Sequence, residues 1–295
     1  MISIIIPTYN NIEYLKICIN SIKKNSNFNH EVILHINEGE DGTLDYAKKN
    51  NIKFTYSKIN SGICIGCNQA AKISKHDLLL YAHDDMYFCP NWDEILLNEV
   101  QKINSKMFYI SGIMINGDPK LKGHIDFLSG ENAKNFDEDK LLKNYKKLEH
   151  FDFQGSTWAP HLIHKEIWNR VGGFSEEFSP GTGSDPDLNM KLWKIGVRIF
   201  KGLAKCKVYH FGSVVTRQKE KKYLTKTETG NKANKIFLLK WGISIKFFKK
   251  HYLKSDTKYN KPLDEPSKNL SYFWELIKCK ITYLYFYITN KDILK

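Results

Sequence analysis

The chain has no long hydrophobic run. Its longest apolar stretch near the C-terminus, Ile281 to Ile288, is eight residues, under half of the ~20 that a membrane-spanning helix needs, so a soluble chain is expected. The start MISIIIPTYNN carries no basic residue ahead of its apolar run and no small-residue cleavage site, so Ile2 to Ile6 is expected to be a buried strand and not a secretion signal. Cysteine is sparse: Cys18, Cys64, Cys67, Cys89, Cys206 and Cys279 are scattered through 295 residues. A disulfide-stapled mini-protein is thereby excluded, and a cytoplasmic chain with reduced thiols is expected. Cys64 and Cys67 form one CxxC with no second pair or nearby His pair to complete a zinc set, which leaves packed small residues or a metal or redox role as its readings. No internal repeat is present. Hydrophobic residues at 42% and aromatics at 13% exclude disorder.

Acidic residues run short after residue 200. Residues 1–200 hold 23 basic and 25 acidic side chains, whereas residues 201–295 hold 22 basic and 7 acidic, so the two parts carry −2 and +15 of the +13 net charge. The basic balance belongs to the last third.

What is present in the first 115 residues is an alternation. Short apolar runs (Ile2–Ile6, Val32–Ile36, Ile52–Tyr56, Leu78–Tyr81, Phe108–Ile113) are separated by stretches with helical spacing (Ile12–Ile22, Leu44–Lys49, Ile65–Ile73, Trp92–Val100). Strands apolar throughout and alternating with helices predict an open α/β architecture, a mostly parallel sheet with helices on both faces. In such sheets ligands bind beyond the carboxyl ends of the strands. The residues there are polar: Pro7-Thr8-Tyr9-Asn10, Asn37 to Thr43, Asn60-Ser61-Gly62 and His83-Asp84-Asp85. Residues 116–150 read as a polar excursion over that rim, 151–214 as structured again, and the remainder as helices near Asn231–His251 and Ser271–Tyr287 around a break at Ser255–Lys268.

Two acidic clusters carry the chemistry. Asp84 and Asp85, adjacent at the end of a buried strand, repel each other unless a cation lies between them, and carboxylate oxygens suit Mg²⁺ or Mn²⁺; the plainer reading is a turn or helix cap before Trp92. The second cluster is VGGFSEEFSPGTGSDPDLNMKLWKIG, residues 171–196, where Ser184-Asp185-Pro186 marks a helix start and Leu188, Leu192 and Ile195 its buried stripe. Asp187 reads as a capping group, while Asp185 sits where loop meets helix and can face a cleft.

Taken in order, IPTYNN, NEGEDGT, NSGICIGCNQA, YAHDDM, GGFSEEF…GSDPDLNMKLWKIG and VYHFGS resemble the family 2 glycosyltransferases of GT-A fold, over about residues 1–215. The resemblance implies an inverting, metal-dependent transfer of a sugar from a nucleotide-diphosphate donor, UDP-sugar favoured, to a hydroxyl of a glycan, lipid-linked or protein-linked acceptor. Pro7, Thr8, Tyr9 and Asn10, with Asn37 or Glu38, would hold base and ribose; Asn60, Gly62 and Asn68 would line the wall beneath them. Within His83-Asp84-Asp85, Asp85 would ligate Mn²⁺ or Mg²⁺, Asp84 would contact the ribose or a metal-bound water, and His83 would face the nucleotide sugar. Asp185 would be the general base. His210 matches a position that joins the metal or the diphosphate, although a lone His at a strand end is also a common structural hydrogen-bonder. His83, Ser184 and Lys191 stand where the family more often has an acidic residue, Glu and Arg. The resemblance divides the chain into a glycosyltransferase domain, 1–215 (nucleotide half 1–115, acceptor half 116–215), and a basic, aromatic helical extension, 216–295.

Trp158 and His161 read either as facing sugar or acceptor or as core. The basic tail reads as a solvated appendage, as a peripheral membrane patch built on Lys246, Lys249, Lys250 and Lys254 beside Trp241, Phe247, Phe248 and Tyr252, or as a nucleic-acid surface, for which no module accompanies the charge. The alternatives in function are a non-catalytic sugar-binding or scaffolding domain of the same fold, or a sugar nucleotidyltransferase. The latter wants a Gly-rich basic loop after the first strand, which Pro7-Thr8-Tyr9-Asn10 is not.

Overall fold

The structure is a computed structural model and describes residues 1–118, 123–155, 159–212 and 226–289; Trp158 lies outside them. The strands are β1 (Ile2–Tyr9), β2 (Glu31–Asn37), β3 (Lys53–Ser57), β4 (Leu78–Tyr81), β5 (Met86–Phe88), β6 (Phe108–Asn116), β7 (Ile125–Asp126), β8 (Phe153–Gln154), β9 (His161–His164) and β10 (Ile199–His210). The helices are α1 (Ile12–Asn25), α2 (Thr43–Lys49), α3 (Gly62–Lys72), α4 (Trp92–Ile103), α5 (Glu138–Asn144), α6 (Lys165–Arg170), α7 (Ser184–Lys194), α8 (Lys226–Trp241), α9 (Ile245–Phe247) and α10 (Leu270–Thr289). All main strands join one sheet in the order β3-β2-β1-β4-β9-β6-β10-β5.

This is the expected α/β class. Ile2, Ile4, Ile5 and Ile6 on β1 are fully buried, and β1 pairs in parallel with β2 and β4. On α1 the buried residues Tyr14, Leu15, Cys18, Ile19 and Ile22 recur every three to four positions. That spacing presents one apolar stripe to the sheet, and each fully buried aliphatic side chain is worth roughly 1.5–3 kcal/mol. Three strands depart from the parallel pattern: β9 runs antiparallel between β4 and β6, and β5 and β8 pair antiparallel with β10. In β9 the buried Leu162 and Ile163 lie between His161 and His164, and apolarity encodes burial but not direction.

The described residues of the span 116–150 hold more regular structure than a loop. They contain β7, α5 and a tight turn, Tyr145–Lys147, held by a second small core in which Ile125, Leu141 and Tyr145 meet Tyr14, Tyr87, Tyr209 and Phe211. The aromatic residues of the basic segment also turn inward. Phe237, Phe247, Phe248, Leu253 and Leu263 are buried in the same cluster as β1 and α7, so Phe247 and Phe248 do not form the surface patch that their neighbouring lysines suggest. The CxxC is likewise core: Cys64 and Cys67 are buried on α3, and burial pushes the Cys64 thiol up to about 12 and Cys67 upward as well, which leaves both as inert thiols.

Candidate active site

Four parallel strand ends and the start of α7 bring the expected residues to one rim. At the end of β1, Asn10 adopts a positive φ of 44° and bridges to the end of β2: its amide donates to Glu38 Oε2 at 3.3 Å and its oxygen accepts from the Glu40 amide at 2.8 Å. Asn37 is buried, and its oxygen accepts from the backbone N–H and the hydroxyl of Ser61 at 2.8 and 2.9 Å. Asn60 accepts from the Gly62 amide at 3.0 Å. Gly62 has φ +80°, and a Cβ there would lie 2.8 Å from Pro180 Cα, so only glycine lets the 180 loop approach. Asn68 is occupied elsewhere: both ends of its amide bond the Phe174 backbone at 2.9 Å, clamping α3 to the Gly172-Gly173 turn. Asn37 and Asn68 thus shape the wall through the backbone they hold.

Beyond β4, Asp84 and Asp85 are both buried. Loss of solvent, and next the neighbouring Asp85 charge, raise the Asp84 carboxyl, while Thr8 and Asn11 lie against it and oppose the rise. The strand β10 carries His210 back beside them: it pairs with β5 so that His210 lies opposite Met86, and the Phe211 amide donates to the Asp85 carbonyl at 3.1 Å. His210 Nε2 lies 3.2 Å from Asp85 Oδ1, and His83 Nδ1 lies 3.3 Å from His210 Nε2 and 4.0 Å from Asp85 Oδ1. The donor atoms of His83, Asp85 and His210 fall within 4.8 Å of one another. Two imidazole nitrogens and one carboxylate oxygen at that spacing fit a single divalent ion. Burial, then His210, pushes the His83 imidazole down, which favours the neutral ring that a ligand requires. Sequence reasoning places His83 with the sugar nucleotide; the fold adds it to the cation cluster.

The base candidate lies on α7. Asp185 is in its first turn, with 30% of the side chain exposed, and His161 Nε2 approaches Asp185 Oδ1 at 3.3 Å from a ring that is only 2% exposed. His161 stacks on Tyr109 at 4.7 Å between centroids, so it stands behind Asp185 and not in the cleft. Asp187 is not a cap. It is fully buried, accepts from Ser175 Oγ at 2.5 Å and from Trp241 Nε1 at 2.8 Å, and has Lys240 Nζ at 3.0 Å. Burial pulls down the ammonium of Lys249, in the turn after α9, and Asp256 and then Asp185 act in the other direction. No local sequence signal marks Lys249, because only the fold returns it to α7.

Residues 3–166, more than half of the chain, match the model of glycosyl transferase family 2. The chain belongs to that family. Over 201 residues it is 27% identical to the chondroitin synthase of Pasteurella multocida, a match covering 66% of this chain and 19% of that protein. This family 2 chain thus spans about a fifth of the length of the curated relatives it matches. Among solved structures, S. aureus TarS 1–349 in complex with UDP-GlcNAc superposes with a TM-score of 0.55 at 14% identity, covering 99% of this chain and 74% of that one. GalNAc-T7 with UDP, GalNAc and Mn²⁺ gives 0.54 at 16% identity, covering 71% and 43%. Both likenesses support the same GT-A-like fold.

Proposed function

We propose that the chain is an inverting, metal-dependent glycosyltransferase that takes a UDP-sugar as donor. The observation that carries this reading is the convergence on one rim of the His83, Asp85 and His210 cluster with Asp185. Pro7, Thr8, Tyr9, Asn10, Glu38 and Asp84 face the base and ribose, with the wall set by Asn37, Asn60, Gly62 and Asn68. Mn²⁺ or Mg²⁺, held by Asp85 and His210 with His83 beside them, would supply positive charge to the diphosphate leaving group. Asp185 takes the proton of the acceptor hydroxyl as its oxygen bonds the anomeric carbon; on the opposite face the bond from that carbon to the phosphate oxygen breaks and the nucleoside diphosphate leaves. Attack opposite the leaving group inverts the anomeric configuration. The acceptor is a hydroxyl of a glycan, lipid-linked or protein-linked molecule.

A thermal-shift panel of UDP-, GDP-, CMP- and dTDP-sugars, with and without Mn²⁺, tests the donor, since binding stabilises the native state by mass action. The largest metal-dependent shift is expected with a UDP-sugar, and Asp85→Ala should abolish the metal dependence. No shift with any nucleotide would overturn the reading in favour of a non-catalytic domain.

For a peripheral placement of the tail, the supporting observation lies on a different face from the one expected. Along α10, Leu270, Trp274, Ile277, Ile281, Tyr285 and Ile288 are each at least half exposed and recur every three to four residues. Lys278 and Lys280 border this stripe, a pattern that suits an anionic bilayer surface. Among the described residues, no helix is long and apolar enough to cross a membrane.

A further inference from the structure

The four lysines that sequence alone offers to a membrane gather instead around a cavity. An open cavity of about 640 Å³ is lined by Lys246, Lys249, Lys250 and Lys254, with Asn234 and Asp256 among the remaining wall. Glu275, outside the lining, pairs with Lys250 and with His251, and Asp256 is the acidic side chain of the wall. Like charges converging on one concavity repel and concentrate positive potential there, which an anionic occupant relieves. The volume lies within the ~300–1,000 Å³ usual for small-ligand sites.

The cavity's position says what that occupant is. The wall residue Asn234 follows Ala233, whose Cβ lies 2.9 Å from where a Cβ on Gly183 would stand, at the start of the helix that carries Asp185, while His83, Asp85 and His210 line none of the cavity. A molecule seated among the lysines therefore lies beside the start of α7 and apart from the residues that would hold the diphosphate's cation. Lysine ammoniums are point charges on flexible stems, suited to phosphate or carboxylate without the bidentate geometry of arginine.

We propose that this cavity binds the acceptor, and that the acceptor carries an anionic group, phosphate or carboxylate, near the hydroxyl that is glycosylated. The assignment to the acceptor rests on the reading of Asp185 as base; the anion site itself stands on the lysines alone.

The test uses the full chain and three fluorescent oligosaccharide probes of equal length: neutral, bearing one uronic carboxylate, and bearing one phosphate ester. Binding is followed by anisotropy, with UDP affinity measured in parallel. At least one charged probe should bind tenfold or more tightly than the neutral one, and its binding should weaken with salt. Lys246→Glu with Lys254→Glu should lose tenfold or more for the charged probe, with Lys246→Gln and Lys254→Gln as the milder pair should charge reversal impair folding. Which charged probe is preferred distinguishes phosphate from carboxylate. Equal binding of all three probes, or unchanged binding by the folded variants, would overturn the proposal, as would loss of UDP affinity in the variants, which would give the cavity to the donor. Lysine-dependent anion binding in a chain that binds no UDP-sugar would refute the transferase reading and leave the anion site.

Discussion

His83 Nδ1 and His210 Nε2 face each other at 3.3 Å, a contact that two neutral imidazoles satisfy only when one carries its N–H toward the other. A bound cation replaces that hydrogen bond with two lone pairs, so the pair is suited both to wait and to ligate. Asp185→Asn should keep donor binding and lower turnover by about 10²–10⁴-fold, the usual scale of general-base catalysis; a coupled assay of UDP release measures it, and full activity would remove Asp185 from its role. Asp93 offers a separate test of stability. It is fully buried and accepts from the Asn27 and Phe28 amides at 2.7 and 3.0 Å, with His30 Nε2 at 3.0 Å. Although burial raises its carboxyl, the bonds from His30 and the backbone amides outweigh that and hold it below 3.8. A depressed carboxyl contributes stability above the unfolded value and loses it as pH falls toward the folded one. Asp93→Asn should therefore cost about 2–4 kcal/mol in urea unfolding at neutral pH, and the difference from wild type should shrink below pH 4. The placement of Asp84, Asp85 and Asp185 at a strand end or helix start was legible from apolar periodicity, whereas the candidate roles of Asp185 and His210 were read from the family resemblance. The contact of His83 with His210 was not legible, because the two lie 127 positions apart.

At the scale of elements, α7 decides more than its length suggests. Asp185 and Asp187 are separated by one residue, yet one keeps part of its side chain in solvent and the other is fully buried against Trp241 and Lys240 of α8. A sequence shows two acidic residues at a helix start and not which one the fold needs. Asp187→Ala leaves the Trp241 N–H and the Ser175 hydroxyl without their acceptor, while Lys240 keeps Glu177; it should destabilise by about 2–4 kcal/mol in chemical unfolding, with a lower melting temperature but an unchanged pH profile for any residual turnover. Strand direction was illegible for the same kind of reason. Residues 151–214 read only as structured again, and pairing with β4 and β6 shows β9 within them to be an antiparallel strand.

For the whole molecule, the division of charge anticipated from composition holds while its meaning shifts. The aromatics of the basic third turn inward at Phe237, Phe247 and Phe248, and the apolar surface left outside is that of α10. If α10 meets an anionic bilayer, Trp274, 61% exposed, should shift its fluorescence to the blue on adding vesicles containing phosphatidylglycerol and not with phosphatidylcholine alone; Ile277→Glu with Ile281→Glu should abolish co-sedimentation while leaving UDP binding intact. Equal co-sedimentation of that variant would rule the helix out.

The grip of Trp241 and Lys240 on Asp187 also bears on how such a chain can be recombined. A cut at residue 215 looks natural from the change in charge, but it would sever α8 from the helix that carries Asp185 and open the shared core at Phe237 and Phe248. Chimeras that exchange this tail for another should therefore inherit a disordered α7 unless residues corresponding to Lys240, Trp241, Phe248 and Leu253 travel with the front of the chain, which places the workable crossover after Leu253.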